Sequence, residues 1–549
     1  MAQQRADAFV DLATTGGASI ETEVVLHVRG DGCSYDDGTP VTDTVVERLV
    51  PDAFLRALIH DAGATPVRKS EEYAAAMAED VVYDEWMNDS DAIIWHIERD
   101  PVLTSTITSV WLMDREPDPE RFDDITTRSL ATIPRLRQRV VADPVGLSTP
   151  RWEDDPDFDL ERHVRQLELD EDEDLFERAA ALAAEGFDRD HPLWELHLVN
   201  GLTDGRAAVI MKIHHAVADG VGMLRMTEGL IETSRELDPS KHPEVPEPEP
   251  EPESTGRPPP FGGMGEVLSH RIQSDAEMVG RLGRAVVGQF FHAARHPVSS
   301  TREFVETAGS VGRMVEPATA PLSPLFRSRS ERTSFDALNV PLRDLKAAGK
   351  ATGSTLNDLF VAAVLGGMGR YHDHHGEHVS ELRMNMPINV RPQGEQTDAG
   401  NQFVPARFHV PIDIADPAER VAALHEILAA TQAEPSLPLL DEISASINRM
   451  GIIAATRILG GMLKAVDLTT SNVPGPWFPV YTAGARIEHM YPFGPLAGSA
   501  VNITLLSFDG SCEIGINTDR SSVEDPDVLT RCVTEGFAEI VALGWGRAT

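Results

Sequence analysis

The chain has 549 residues, 88 of them acidic and 48 basic, for a formal net charge of −40. That balance excludes proteins that coat nucleic acid, which need a positive footprint to displace counterions, and it disfavours a polybasic grip on anionic lipid. A hydrophobic content of 41% is too high for a disordered acidic chain, and the length suits roughly two to four domains.

Residues 1–83 read as an N-terminal extension of open role. Their start, MAQQRADAFVDLATTGGAS, lacks the basic patch and apolar core of a secretion signal. Thr22–His27 alternates as a strand does, Asp37–Gly38 marks a turn, and Ser70–Ala78 has helical composition. From Asp84 a mixed α/β series begins. It predicts a strand at Thr106–Met113, helices at Phe122–Ala131 and Leu175–Ala184, an apolar strand at Ala207–Ile213, and a helix from Val221 to Arg235. Residues 84–238 thus read as an N-terminal domain.

The run Pro239–Gly263 alternates Pro and Glu, which neither packs a core nor forms a helix, so residues 239–265 read as a semi-rigid linker. Residues 266–325 follow as a helical crossover. Within it Val267–Ala294 places Met278, Leu282, Val286 and Phe290 on one side. Arg271, Arg281, Arg284, Arg295 and the Phe290–Phe291 pair allow two readings, ordinary core or a peripheral docking surface for membrane or lipid inclusions. Residues 326–549 form the C-terminal domain: a strand at Thr333–Val340, a helix at Leu356–Tyr371, and strands at Leu382–Ile388, Ala406–Ile412, Ser499–Leu506 and Glu513–Thr518. The irregular alternation predicts mixed rather than purely parallel sheets. Leu359–Gly369, the longest apolar stretch, falls short of the ~18 residues that span a bilayer. Cys33, Cys512 and Cys532 fit a reducing cytoplasm rather than a disulfide framework.

Chemistry concentrates in AAVIMKIHHAVADGVGM, residues 207–223, where an apolar strand runs into His214 and His215, then a turn, Asp219 and Gly220. Adjacent residues on a strand face opposite ways, so one histidine can face a cavity while the other packs. An accessible imidazole takes a proton near neutral pH. Asp219 is placed to lock the turn through an arginine or backbone N–H groups, and Gly220 permits a backbone angle that a side chain would penalise.

His214–Gly220 resembles the HHxxxDG signature of the CoA-dependent acyltransferase superfamily, which includes chloramphenicol acetyltransferase, carnitine acyltransferases and condensation domains. Further segments are similar to those of bacterial wax ester synthase/diacylglycerol acyltransferases. These are His191-Pro-Leu-Trp194 with Gly201-Leu202, Asn357-Asp358, Met386–Arg391, Gly400-Asn401, Ser471–Pro476, Asn502-Ile503 with Gly510, and Met87–Glu98, where Asp replaces a Pro. Together they cover about residues 84–545.

The resemblance implies two chloramphenicol-acetyltransferase-like α/β domains with mixed sheets around a central tunnel, taking acyl-CoA from one side and a lipid alcohol or diacylglycerol from the other. It implies His215 as general base, with His214 beside it, and a structural Asp219 paired with Arg391. No covalent intermediate is needed, and no serine–glycine elbow is visible. Asn357 is a candidate oxyanion donor, with helix capping as its alternative use. Trp194, Ser471 and Asn472 are candidate substrate contacts, read otherwise as packing and as a rigid crossover loop.

Acyl-CoA enters as co-substrate, and no cofactor or metal is expected. The string Tyr371–His378 looks like ligand material, but it reads as a polar loop whose histidines are too crowded to converge on one ion. The activity expected is acyl transfer to a long-chain alcohol or diacylglycerol. Transfer to a specialised alcohol or amine, and a non-catalytic acyl-CoA or lipid binder, are the alternatives. A cytoplasmic protein, peripheral at most on membrane or inclusions, fits this reading; the oligomeric state is open.

Overall fold

The computed structural model describes residues 7–8, 26–29, 32–35, 83–142, 148–170, 173–218, 223, 227–236, 320–389, 403–432 and 452–545. The expected linker 239–265, the helix 267–294, the turn at Asp37–Gly38 and the helix at Ser70–Ala78 lie outside them. The chain divides into two compact units, one of Met1–Val82 with Arg391–Asp398 and one of Tyr83–Val390 with Ala399–Thr549. In the first, β1 (Asp7–Ala8), β2 (Leu26–Arg29) and β3 (Gly32–Tyr35) form an antiparallel sheet. The strand expected over Thr22–His27 therefore enters the described residues at Leu26.

In the second unit, Asn88 starts helix α1 (Asp89–Ile97) by accepting the Asp91 N–H at 2.7 Å. After β4 (Thr106–Met113), Asp118 caps α2 (Pro119–Thr132), whose first-turn proline has no N–H to leave unsatisfied. Next come β5 (Gln138–Val141), β6 (Arg151–Asp154), the single turn α3 (Leu160–His163) and β7 (Val164–Glu168). Asp174 caps α4 (Leu175–Ala184), and β8 (Trp194–Asn200) leads to β9 (Ala207–His214), every residue of which is buried.

The remaining elements begin with β10 (Thr333–Pro341), α5 (Leu342–Thr352), α6 (Leu356–His374), β11 (Glu381–Asn389), β12 (Phe403–Pro411), α7 (Pro417–Gln432) and α8 (Ile452–Lys464). They end with β13 (Leu468–Pro474), β14 (Tyr481–Thr482), β15 (Ala485–Phe493), β16 (Val501–Phe508), β17 (Ser511–Asp519) and α9 (Pro526–Gly544).

Two six-stranded sheets result, in the orders β14-β15-β4-β9-β8-β7 and β10-β17-β16-β13-β11-β12. Both are mixed, as the sequence predicts. In the first only β7 and β8 run parallel; in the second β13 runs parallel to both β11 and β16. In the second sheet's core lies α6, buried from Asp358 to Met368. An all-round apolar helix of this kind belongs inside a fold. Its backbone meets α9 closely, since a Cβ on Gly536 would lie 2.1 Å from the Ala363 carbonyl oxygen. No helix among the described residues is long and apolar enough to cross a membrane.

Two expectations change. The segment Ser471–Pro474, expected as a crossover loop, lies in β13 at the centre of the second sheet, and its proline falls at the strand's last residue, where the ladder ends. The helix expected to reach Arg235 stops early. Glu228–Leu230 is a short 3-10 turn, and Glu232 pairs with Tyr481, N–H to carbonyl in both directions at 2.7 and 2.8 Å. Arg235 then donates to the Gly484 carbonyl at 2.9 Å and to Asp114 at 2.5 Å, tying down the β14–β15 turn.

That hairpin is the join between the sheets. Its residues follow β13 of the second sheet, yet β15 pairs antiparallel with β4 of the first, Phe493 opposite Thr108. Phe493 stacks on Phe335 of β10 at 4.1 Å, and Phe176 meets it edge-on. Beneath the crossing, a Cβ on Gly515 of β17 would fall 1.8 Å from the Pro492 carbonyl oxygen, so only glycine fits. Gly515→Ala is expected to cost about 3 kcal/mol or more, read as a lower midpoint of thermal or urea unfolding. An unchanged midpoint would show that the strands have room to spare.

His489 of β15 reaches the buried Glu513 of β17, Nδ1 to Oε1 at 3.3 Å. The carboxylate's hydrogen bond raises the histidine pKa despite partial burial, which opposes the rise. A raised histidine value means that the pair's stabilisation is complete below the unfolded value near ~6.5 and is lost as pH climbs through the folded one. The stability gap between the native chain and His489→Gln should therefore close as denaturation is repeated from about pH 6 to pH 8; a gap that widens with pH would contradict the pairing.

Candidate active site

Strand β9 ends at His214, and the chain turns at once: His214 accepts the Val217 N–H at 2.9 Å, and the His215 N–H donates to the Ser105 carbonyl at 2.8 Å. The two histidines part company because the strand ends at His214 and His215 falls in the turn, not by alternation along one strand. His214 is 1% exposed. Its Nδ1 accepts the Ala216 N–H at 3.0 Å, which leaves Nε2 to carry the proton, 2.9 Å from Glu98 Oε2. The rings of Trp95 and Phe187 stand edge-on to it. His215, in the turn, is half-buried.

Glu98, the last residue of the family-like segment Met87–Glu98, is not among the site residues expected from the sequence. Its carboxylate accepts the Ser105 N–H at 2.5 Å and the Arg189 guanidinium at 2.7 Å, as well as facing His214. Burial pushes its pKa up, but His214, the Ser105 N–H and Arg189 outweigh that and hold it below the ordinary carboxylate value. Ser105 links the pair of histidines: its N–H is held by Glu98 and its carbonyl holds the backbone of His215. Arg189 in turn lies 4.0 Å over the Trp95 ring. The signal in the sequence is its place as the last residue of the family-like segment Met87–Glu98, an acid closing an apolar helical stretch.

A second buried charge lies on β9. Lys212, fully buried, sits 3.5 Å from Glu195 across the strand pair and 4.5 Å above the Phe187 ring. Burial lowers its pKa, and Glu195 pulls the other way. Glu195 also lies 3.1 Å from His197 Nε2.

Trp194 is absorbed by packing. Its indole N–H donates to the Leu136 carbonyl at 2.8 Å, its ring stacks on His163 at 4.7 Å, and 5% of the residue is exposed. Asn357 occupies the first turn of α6, but the cap is Thr355, which exchanges hydrogen bonds with Asp358 in a capping box. The capping use of Asn357 is thereby removed; its amide lies 3.7 Å from the Met386 sulfur, a weak acceptor. Ser471 and Asn472 are consecutive on β13, one half-buried and one exposed, so they face opposite sides and cannot both line one channel. Asn502 is used internally, donating to the Pro495 carbonyl at 2.7 Å beside the hairpin join. Asp219, Gly220 and Arg391 lie outside the described residues. The structure thus gathers His214, His215, Ser105, Glu98 and Arg189 at the end of β9, and Asn357 with Met386 at the start of α6.

Removing the Glu98 carboxylate strands Arg189, His214 and the Ser105 N–H together. Glu98→Ala is expected to lose ~3–5 kcal/mol of stability, and Glu98→Gln, which keeps an acceptor for Ser105, a smaller amount, both measured by chemical denaturation. An alanine variant as stable as the native chain would refute this account.

Residues 87–360 match the profile of the wax ester synthase/diacylglycerol acyltransferase catalytic domain, and residues 399–541 that of the WS/DGAT C-terminal domain. A putative diacylglycerol O-acyltransferase of Mycobacterium tuberculosis is 32% identical over 466 residues, 83% of this chain and 92% of that protein. A probable diacylglycerol O-acyltransferase of the same species, tgs1, is 26% identical over 437 residues, 78% of this chain and 89% of that one. Among solved structures, the wax ester synthase/diacylglycerol acyltransferase from Marinobacter aquaeolei VT8 matches with a TM-score of 0.52 at 19% identity, over 84% of this chain and all of that one (100%). The first condensation domain of the calcium-dependent antibiotic synthetase matches with a TM-score of 0.51 at 17% identity, over 85% of this chain and 97% of that one, a likeness of fold alone. The signature at the end of β9, the two matched profiles and the curated relatives converge: the chain belongs to the wax ester synthase/diacylglycerol acyltransferase family and is an acyltransferase.

Proposed function

We propose that the chain forms neutral lipid by moving an acyl group from acyl-CoA to the hydroxyl of a diacylglycerol or long-chain alcohol, with His215 as general base and no further cofactor. One observation carries the assignment of roles. Of two adjacent histidines, His214 is sealed against Glu98, while His215 stands half-buried in the turn with its backbone held on Ser105. A base needs both access and a fixed position.

In this reading the His215 imidazole takes the acceptor's O–H proton as that oxygen attacks the thioester carbonyl. The tetrahedral oxyanion collapses, the C–S bond breaks, and the CoA thiolate leaves with the proton returned by the imidazolium. The ester and free CoA thiol are the products, with atoms and charge balanced. Asn357, relieved of capping by Thr355, is the proposed donor to the oxyanion. His214 serves by fixing the turn. A channel between the two sheets, bringing the two substrates to His215 from opposite sides, is part of the proposal, as is association with membrane or lipid inclusions from the side.

Release of free thiol from palmitoyl-CoA, measured against a panel of long-chain alcohols, diacylglycerols and amines, tests the reading. Turnover is expected with the alcohols or diacylglycerols, and His215→Ala should lower it about 10²–10⁴-fold while acyl-CoA binding persists. Undiminished turnover in that variant would overturn the base assignment, and turnover confined to amines would overturn the acceptor.

A further inference from the structure

Helix α6 closes on Tyr371-His372-Asp373-His374, with His375 as its C-cap and Gly376 beyond at φ +71°. The sequence suggests a polar loop with crowded histidines. The helix instead sorts them. His372 turns inward, Nδ1 2.8 Å from the Met368 carbonyl and Nε2 2.8 Å from Ser323 Oγ. His374 and His375 leave the helix end together, their rings edge to face at 5.2 Å.

A third group arrives from 150 residues away. Asp525 is the N-cap of α9, yet its carboxylate makes no hydrogen bond to that helix's first turn, the ordinary use of aspartate there. It is turned to the end of α6 instead, where Oδ1 accepts the Tyr371 O–H at 2.9 Å and lies 3.1 Å from His375 Nε2. One ligand atom from each of His374, His375 and Asp525 lies within 4.8 Å of the other two. Imidazole nitrogens and a carboxylate oxygen bind zinc at ~2.0–2.2 Å, so side-chain movements of about an ångström bring all three onto one ion. The partial negative charge at the C-terminal end of α6 favours a cation, and so does a chain of net charge −40.

We propose that His374, His375 and Asp525 form a site for a divalent ion of the zinc class, which clamps the C-terminal end of α6 to the N-terminal end of α9. Those two helices already pack against each other in the core, and the ion fastens their solvent-facing ends. His374 is exposed and the other two ligands are half-buried, so water completes the coordination. The clamp takes no part in acyl transfer: Asn357 sits at the opposite end of α6, a helix of 19 residues, about 28 Å long at the usual rise.

The test uses the full chain, free of any histidine tag and stripped with a chelator, titrated with Zn²⁺ by calorimetry and with Co²⁺ by visible absorption. Saturable binding is expected, with a rise in melting midpoint on adding Zn²⁺. His374→Ala and Asp525→Asn should each weaken it at least tenfold and remove the Co²⁺ spectrum, whereas His409→Ala, which alters another exposed histidine–carboxylate pair, should not. His374 lies on the surface and asparagine keeps the acceptor for Tyr371, so both variants should fold. Absence of saturable binding, or binding that survives both substitutions, overturns the site.

Discussion

A carboxylate enclosed in the fold, that of Glu98, holds the end of β9 to the segments around it. Taking such a charge out of water costs several kcal/mol unless partners compensate it. Here the partners come from three separate segments: Ser105 just before β4, the arginine ahead of β8, and the last residue of β9. None can drift without leaving the charge exposed to an apolar interior, so the three segments move as one. His215 inherits this rigidity through its backbone bond to Ser105.

The second constraint is geometric. The two sheets share a strand hairpin rather than merely abutting, because β15 leaves the company of the C-terminal strands and completes the sheet that carries the histidines. The crossing is tight enough that Gly515 is required beneath it, and it is secured by the Phe493–Phe335 stack, the His489–Glu513 pair and the grip of Arg235 on the hairpin turn. The division into chain halves suggested by the Pro/Glu run therefore differs from the division into sheets. The two solved structures named above share the fold across more than four-fifths of this chain's length.

What the sequence made legible follows from how local the cause is. Thr106–Met113 and Leu175–Ala184 lie where apolar periodicity puts them. Ser471–Pro474 misled because proline and glycine weigh heavily in a local reading, while the segment's parallel pairing with β16 is a tertiary fact. β15 is broken by a shift in register near His489, which blurs its alternation. Glu98 and Asp525 were hidden for a different reason: an isolated acid has no period, and its meaning lies entirely in partners brought from elsewhere. The capping of α6 by Thr355 rather than Asn357 needed only the backbone to settle it.

The shared hairpin also sets an order of events for the nascent chain. Asp114, at the outer end of β4, and Arg486, on the strand that will lie beside it, are 372 residues apart. Throughout that span of synthesis the free edge of β4 offers unpaired N–H and C=O groups beside apolar side chains, the condition in which strands find wrong neighbours. The ribosome must deliver nearly the whole polypeptide before the sheet whose strand β9 ends in His214 can close.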